Sequence, residues 1–233
     1  MDGTLLPMNT EMFVETYLGA LAEKMSGLGL DAKKLIDALW KGTEAMVKND
    51  GSKRNEERFW ETFTQLLGDD ILRHQADFED FYRHEFEKAR AVTSQNPKVP
   101  QIIEWLKAQG IRLVVATNPV FPEAAQKKRI HWAGLEPADF ELITTYENSH
   151  YCKPNPAYYQ EILDKLALRP EEVLMVGNDT TEDTAAMQLG ISVFLVTDCL
   201  LNPAQIDIAK YPHGDFAAFK AFAEALLPPA AES

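Results

Sequence analysis

The sequence predicts an α/β protein in which a parallel sheet core is interrupted by an all-helical insertion. Residues 12–91 show helical periodicity only, whereas residues 94–200 alternate short apolar runs with amphipathic helices. Strands that alternate with helices form parallel sheets, and such strands are apolar because both of their faces are buried. We expect residues 1–11 and 92–233 to form the α/β core domain and residues 12–91 to form the helical domain.

The helical insertion is indicated by apolar residues that recur with helical spacing. In "MFVETYLGALAEKM", every fourth residue from Phe13 to Met25 is apolar and falls on one face of a helix. Asp31 and Asn55 precede further periodic stretches and are residue types that commonly cap helices. Large aromatic side chains are usually buried, so the interior of this insertion is expected to contain Trp40, Phe59, Trp60, Phe63 and Phe81.

The α/β core is predicted from four apolar runs separated by helical stretches. The runs "IRLVVATN", "FELITTYE", "EVLMVGND" and "ISVFLVTD" are the predicted strands. The predicted helices are "VPQIIEWLKAQG", "PEAAQKKRIHWAGL", "NPAYYQEILDKL" and the shorter "TAAMQLG". Gly110 suits the end of the first of these helices, and Pro156 suits the first turn of the third.

Composition and charge exclude several classes of protein. The 233 residues carry a net charge of -13, which repels nucleic acids and anionic membrane surfaces. No apolar run approaches the ~18 residues that a membrane-spanning helix needs, and the start does not resemble a signal peptide. Cys152 and Cys199 lack the spacing of a metal site or a disulfide framework. We therefore expect a cytoplasmic protein without nucleic-acid or membrane partners.

Polar residues follow the predicted strands, where ligands bind in open parallel sheets. In chain order they are Asp2, Gly3 and Thr4 at the start, Thr117 and Asn118 after "LVVA", Lys153 in "CKPNP", and Asp179 and Asp183 after "VLMVG".

This set of residue types suits phosphate chemistry. Carboxylates four residues apart, such as Asp179 and Asp183, can hold Mg²⁺ through oxygen ligands. The Lys153 ammonium can neutralise a phosphoryl oxygen, the Thr117 hydroxyl can donate to another, and Asp2 can act as a general acid and base. Each residue also has a simpler interpretation, because an Asp after a strand often caps the next helix and a loop lysine is often solvated. The set contains no nucleophile.

The order of these residues resembles the motifs of the haloacid dehalogenase (HAD) superfamily of phosphohydrolases. "MDGT" is similar to the last four letters of the first motif, Asp-x-Asp-Gly-Thr, with Asp2 as its second aspartate. Thr117 in "LVVATN" matches the second motif and Lys153 in "CKPNP" matches the third. Asp179 and Asp183 in "VLMVGNDTTED" match the Asp-x-x-x-Asp of the fourth, although Asn178 replaces the usual Gly.

The resemblance implies a Rossmann-like core with a C1-type helical cap and the activity of a Mg²⁺-dependent phosphatase that acts on a small phosphorylated metabolite. It implies catalytic roles for Asp2, Thr117 and Lys153, phosphate contacts for Gly3, Thr4, Thr117, Asn118 and Lys153, and Mg²⁺ ligation by Asp2, Asp179 and Asp183. Lys53 and Arg54, in a loop of the insertion, are weaker candidates for contact with an anionic substrate.

In this superfamily the first aspartate of the first motif forms an aspartyl-phosphate. That residue would stand directly before Met1, at the end of the central strand, so we expect the natural protein to carry an aspartate there. The alternatives are a catalytically inactive pseudophosphatase that binds a phosphorylated ligand, a phosphomutase, or a dehalogenase. The sequence leaves the substrate and the choice between monomer and dimer open.

Overall fold

The computed structural model describes residues 1–227, so residues 228–233 of the predicted core domain lie outside the described range. Four α-helices form most of the insertion: α1 Thr10–Gly27, α2 Ala32–Val47, α3 Asn55–Leu67 and α4 Gln75–Arg83. Short 3₁₀ helices, Asp69–His74 and Glu85–Val92, precede and follow α4. The predicted helical character of residues 12–91 is confirmed.

The remaining chain alternates strands with helices, as predicted. The elements are α5 Lys98–Ala108, β1 Val114–Val115, α6 Glu123–Trp132, β2 Leu142–Ile143, α7 Pro156–Leu166, β3 Leu174–Gly177, β4 Ser192–Val196, β5 His213–Gly214 and α8 Phe216–Leu226. The "TAAMQLG" stretch forms a 3₁₀ helix, Thr184–Leu189, instead of an α-helix. β1 and β2 are much shorter than the apolar runs that predicted them.

All the strand pairs are parallel, and they form two separate sheets among residues 1–227. In one sheet β1 pairs with β2, with Val114 opposite Leu142. In the other, β4 lies between β3 and β5, and Leu174 is opposite Ser192. Parallel pairing confirms the predicted α/β class, because parallel strands need helical crossovers between them.

Local sequence explains where the helices of the insertion begin, with one correction. The Asp31 side chain accepts a hydrogen bond from the Lys34 N–H at 3.0 Å and caps α2 as predicted. The capping prediction for Asn55 is wrong. At the start of α3 the Glu57 carboxylate accepts the Arg54 N–H at 2.9 Å, while Asn55 is the first helical residue and is fully buried.

The aromatic interior is confirmed for Phe63 and Phe81, which are fully buried, and Phe59 and Trp60 pack against the same core. The prediction is wrong for Trp40, which is 51% exposed. The buried stripe of α2 includes Leu35, Ala38, Leu39, Gly42 and Met46. Position 40 lies one residue off this stripe, about 100° around the helix, so its side chain points away from the core.

One buried apolar cluster extends through the helical insertion and much of the α/β region. It includes Phe13 of α1, Phe81 of α4, Ile103 of α5 and Phe194 of β4. The division into two domains near residues 11 and 92 therefore stays a prediction. Among residues 1–227, no helix combines the length and the apolar character needed to cross a bilayer.

Candidate active site

The first residues of the chain form a tight turn against the end of β3. The Met1 carbonyl accepts N–H bonds from Leu5 at 2.8 Å and Leu6 at 3.1 Å. Gly3 has a φ of +71°, and a Cβ at this position would lie 2.3 Å from Asn178 Nδ2. Only glycine satisfies both the positive φ and the close approach. The Thr4 hydroxyl then donates to Asn178 Oδ1 at 2.8 Å, which places the predicted Gly3–Thr4 loop beside the β3 end.

Lys153 and Asp183 form a buried ion pair at the same place. Lys153 Nζ lies 2.6 Å from Asp183 Oδ1, and the two side chains are 5% and 6% exposed. The other carboxylate oxygen of Asp183 accepts the Asp179 N–H at 2.9 Å. A Cβ on Gly177 would lie 2.0 Å from this oxygen, so glycine at the end of β3 makes room for the carboxylate.

The charge state of Asp183 follows from this pairing. Burial alone would raise the pKa of its carboxyl, but the charge and hydrogen bond of Lys153 outweigh burial and hold that pKa below its usual value. The Lys153 ammonium also lies 5.8 Å and 5.7 Å from the ring centroids of Tyr158 and Tyr159, within cation–π range. The position of Lys153 is therefore fixed by Asp183, in the loop after β3, and by two tyrosines of α7.

Thr117 is 6% exposed and is fixed through its backbone by residues that sequence reasoning missed. Its N–H donates to Thr144 Oγ1 at 3.0 Å, and its carbonyl accepts the Tyr158 hydroxyl at 2.9 Å. The next residue, Asn118, accepts the Lys153 N–H with its side-chain oxygen at 3.3 Å. The loop after β1 is thereby joined to the segment that carries Lys153.

Asp2 pairs with Arg129 of α6, a contact that was not predicted. Arg129 is 1% exposed, and its guanidinium carbon lies 4.4 Å from the centre of the Phe121 ring. The pair joins Arg129 Nη1 to Asp2 Oδ2. Among residues 1–227, Asp2 Oδ1, Arg129 Nε and Gln126 Nε2 are buried without a protein partner. Buried polar atoms normally have partners, so this is a place where water or a bound ligand is expected.

Asp179 caps the turn that follows β3, which is the simpler of the two interpretations of its position. Its Oδ1 accepts the N–H groups of Thr181 at 2.7 Å and Glu182 at 2.8 Å, which caps the turn after β3. Glu182, which was also not predicted, accepts a hydrogen bond from Asn118 Nδ2 at 2.9 Å. Burial raises the pKa of Glu182 to about 7, although the nearby Lys153 charge opposes this shift.

The predicted Mg²⁺ ligands do not form a complete metal site. Among residues 1–227, no three His, Cys, Asp or Glu side chains are grouped closely enough to hold a metal ion. Both oxygens of Asp183 are engaged, by Lys153 and by the Asp179 N–H. One oxygen of Asp2 is bound by Arg129. The described acids therefore do not fit Mg²⁺ as they stand.

The helical insertion is connected to the loops of the candidate site through Asn55. Its backbone N–H donates to the Ser149 carbonyl at 2.8 Å, and its amide lies 3.3 Å from the Pro119 carbonyl and 3.4 Å from the Tyr151 carbonyl. These carbonyls belong to the loops that carry Thr117 and Lys153. In contrast, the weaker candidates Lys53 and Arg54 pair with Glu61 at 3.0 Å and Glu57 at 3.6 Å on α3.

The fold and the cluster define an α/β protein with a polar site at the carboxyl ends of its strands. The family model for haloacid dehalogenase-like hydrolases matches residues 1–190, and the chain belongs to this family.

Comparison with individual proteins gives more distant similarity. The phosphoglycolate phosphatase of Aquifex aeolicus is 29% identical over 117 residues, which are 50% of this chain and 54% of that protein. The chain thus spans about half the length of several curated relatives that it matches. The phosphoglycolate phosphatase of Nitrosospira multiformis is 25% identical over 204 residues, which cover 84% and 80% of the two chains.

A solved structure, a HAD phosphatase from Thermococcus onnurineus, has a TM-score of 0.58 and 18% identity, with 97% of this chain and 94% of that chain covered. This likeness concerns the fold alone.

Proposed function

We propose that this protein is a phosphatase that hydrolyses a small phosphorylated metabolite in the cytoplasm through an aspartyl-phosphate, on the condition that an aspartate precedes Met1 and acts as the nucleophile. The observation that carries the proposal is the buried Lys153–Asp183 pair beside the Gly3–Thr4 turn, at the carboxyl ends of β1 and β3. A desolvated lysine fixed by a carboxylate at a strand end is suited to neutralise a phosphoryl group.

In this proposal the side chains have the following parts. The nucleophile's carboxylate attacks phosphorus, the P–O bond to the leaving group breaks, and Asp2 gives its proton to the departing oxygen. Water then attacks the phosphorus of the acyl phosphate and gives a proton to Asp2, the bond between phosphorus and the nucleophile's carboxylate oxygen breaks, and inorganic phosphate leaves. Lys153 neutralises the charge on the phosphoryl oxygens, and Thr117, Asn118, Gly3 and Thr4 supply hydrogen bonds.

Arg129 has a direct bearing on this scheme, because Asp2 can exchange protons with substrate only through an oxygen that Arg129 leaves free. Asp2 Oδ1 is such an oxygen, since it has no partner among the described residues. Arg129 would then fix the carboxylate by its other oxygen and stabilise it when ionised.

Mg²⁺ dependence, with Asp2, Asp179 and Asp183 as ligands, remains part of the proposal because of family membership alone. The described acids do not form the ligand set, so no step above passes through the ion. The substrate class also comes from the relatives. Four of them are named phosphoglycolate phosphatases, which makes 2-phosphoglycolate and similar short phosphorylated acids the first substrates to test.

The test compares three proteins: the chain as given, a version with an apolar segment and Asp placed before Met1, and the same version with Asn in that position. The proposal expects inorganic phosphate release by the Asp version with Mg²⁺, loss of release in EDTA, and none from the Asn version. Release that is equal in the Asp and Asn versions would overturn the proposed nucleophile.

The same three proteins separate the alternatives when binding, phosphate transfer and halide release are also measured. A pseudophosphatase would bind phosphorylated ligands without turnover in every version. A phosphomutase would transfer phosphate to a second sugar phosphate with little free phosphate. A dehalogenase would release halide from 2-haloacids.

A further inference from the structure

A cavity of about 180 Å³ lies between the helical insertion and the loops that follow β1 and β2. All four α-helices of the insertion contribute to its wall, and the loops complete the wall with residues 120–122 and Tyr146. Eight of its fourteen lining residues are aromatic, and none of those found among residues 1–227 is charged. We call this space the ring cavity. Its aromatic wall includes Tyr17, Trp40, Phe59, Trp60, Tyr82 and Phe121.

Aromatic contacts within the wall keep the ring cavity open. Trp60 meets Phe59 and Phe78 edge-to-face, with ring centroids 5.6 Å and 5.7 Å apart and interplanar angles of 86° and 81°. Edge-to-face pairs are a favoured arrangement of aromatic rings, so these contacts oppose collapse of the wall into the cavity. Gly42 contributes from α2, because a Cβ at this position would lie 2.7 Å from Phe59 Cδ2. Glycine weakens a helix, but here it lets the Phe59 ring lie against the helix backbone.

Several side chains of the wall are only partly covered by the protein. Phe59, Trp60, Tyr82 and Phe121 are half-buried, although they pack against the main apolar core. Trp40 is 51% exposed and lines the same space. Apolar surface that remains uncovered around one concave space favours a ligand, because its burial lowers the free energy. The volume sets the size of the occupant, since an apolar cavity of about 150 Å³ is large enough to bind benzene.

The polar atoms of the wall add one hydrogen-bond donor. The Tyr17 and Tyr82 hydroxyls lie 3.1 Å apart and share one hydrogen bond. Each hydroxyl carries one hydrogen, so one of the two hydrogens is left without an acceptor in the described part of the chain. Burial raises the pKa of Tyr17 to about 12 and also raises the pKa of Tyr82, so both hydroxyls stay protonated near neutral pH. The wall therefore suits an uncharged ring that carries an oxygen substituent.

The loop after β1 joins the ring cavity to the candidate site. The Val120 N–H, in the cavity wall, donates to the carbonyl of Asn118, in the site, at 2.9 Å. The three residues from Asn118 to Phe121 span at most about 11 Å. The Phe121 ring also contacts the guanidinium of Arg129, whose carbon lies 4.4 Å from the ring centre. A small molecule that binds in the cavity therefore lies close to the candidate site.

We propose that the ring cavity binds one uncharged aromatic ring of a small molecule, with an oxygen substituent on the Tyr17–Tyr82 hydroxyl pair. Aromatic rings attract one another beyond the effect of burial, which favours an aromatic ligand in an aromatic wall. A charged group placed there would lose its hydration without gaining a charged partner from the wall.

The ring has two sources that the experiment separates. If it is the organic group of the phosphorylated substrate, the inference rests on the proposed function and names aryl phosphate esters as the substrate class. If it belongs to a separate molecule that binds beside the site, the inference is independent of the proposed function. 2-Phosphoglycolate carries no ring, so its binding does not use the cavity.

The experiment titrates the chain as given with 4-fluorophenol and follows the shift and broadening of the fluorine NMR signal. We expect saturable one-to-one binding. Thr43→Phe places a ring inside the cavity and should weaken binding by about tenfold or more. Trp40→Ala removes an exposed part of the wall and should weaken binding a few-fold without unfolding the chain.

Thr64→Phe is the matched control for Thr43→Phe. Both threonines are half-buried, and each hydroxyl donates to the backbone carbonyl four residues earlier, at 2.9 Å for Thr43 and 2.8 Å for Thr64. Thr64 does not line the ring cavity, so its replacement should leave 4-fluorophenol binding unchanged. Circular dichroism checks the fold of each variant.

Phenyl phosphate and inorganic phosphate identify the source of the ring. If the ring is part of the substrate, phenyl phosphate displaces 4-fluorophenol, binds more tightly than either 4-fluorophenol or inorganic phosphate, and loses affinity in Thr43→Phe. If the ring belongs to a separate molecule, 4-fluorophenol and inorganic phosphate bind at the same time, and phenyl phosphate binds no more tightly than 4-fluorophenol.

Absence of saturable 4-fluorophenol binding would overturn the inference. Equal weakening by folded Thr43→Phe and Thr64→Phe, or equal binding of the charged 4-fluorobenzoate, would also overturn it. If 4-fluorophenol binds but the version with Asp before Met1 releases no phosphate, the ring cavity stands and the proposed function fails. If that version releases phosphate but 4-fluorophenol does not bind, the proposed function stands and the ring cavity fails.

Discussion

Removal of one partner of the Lys153–Asp183 pair gives the sharpest test of the site's electrostatics. The substitution Asp183→Asn keeps the size of the side chain but removes the ion-pair partner of Lys153, whose side chain is 5% exposed. Loss of one partner of a buried pair costs about 3–5 kcal/mol. For a chain of this length, that corresponds to a fall in melting temperature of about 6–20 °C.

A matched control exists in the helical insertion, where the same substitution meets a different environment. Asp80 pairs with Lys24 at 2.5 Å, but its side chain is 47% exposed, and Lys24 also contacts Glu85 at 2.8 Å. Asp80→Asn should therefore cost less than about 1 kcal/mol. Urea unfolding at pH 7, followed by tryptophan fluorescence and circular dichroism, measures both variants.

The double variant Lys153→Met/Asp183→Asn distinguishes an unpaired charge from simple loss of packing. It should be less destabilised than the sum of the two single variants, because no unpaired buried charge remains. The reasoning is refuted if Asp183→Asn costs no more than Asp80→Asn, or if the two single effects add.

Three further predictions concern stability. Burial raises the pKa of Glu182 from its ordinary value of 4.5 to about 7, so the fold loses stability as the pH rises between these two values. Glu182→Gln should therefore be more stable than the parent by up to about 3 kcal/mol at pH 8 and equal to it near pH 4 in urea unfolding, with the exposed Glu15→Gln unchanged. Phe63→Ala should cost about 3–5 kcal/mol and Trp40→Ala less than about 1, and equal costs would contradict the assigned burial. Asn55→Ala leaves buried carbonyls in two loops of the candidate site without a hydrogen-bond donor. It should therefore lower the free energy of unfolding by about 2 kcal/mol and increase hydrogen exchange in both loops.

The order of the helices and strands and the parallel α/β fold class were predictable because the local periodicity of apolar residues indicates them. Strand length was not. The run "IRLVVATN" is apolar enough for a full strand, yet only Val114 and Val115 pair with a neighbouring strand. A strand needs a partner as well as an apolar sequence, and among residues 1–227 β1 pairs with β2 alone.

Of the candidate site, the structure brings Lys153, Asp183 and the Gly3–Thr4 turn together. Sequence motifs could not predict which group each acid would contact, because such contacts depend on tertiary packing. Asp183 is bound by a lysine and Asp179 caps a turn. Their predicted role as metal ligands stays a prediction.

The buried polar residues were missed for a different reason. Arg129 lies in the basic stretch "QKKRIH", where a charged residue is usually solvated. One signal was present, since α6 buries Ala125, Gln126, Arg129 and Ile130, which recur with helical spacing. Two polar residues on the apolar stripe of a helix therefore indicated a buried polar contact.

The most direct test of the proposed phosphatase is to look for the covalent intermediate. The protein with Asp placed before Met1 is mixed with a phosphate-labelled substrate, quenched in acid during turnover, and mapped by peptide mass spectrometry. The proposal predicts phosphate on that aspartate, with no label in the Asn version and label that decays on the timescale of turnover. Phosphate release by the Asp version without any labelled peptide, or with label on another residue, would contradict it.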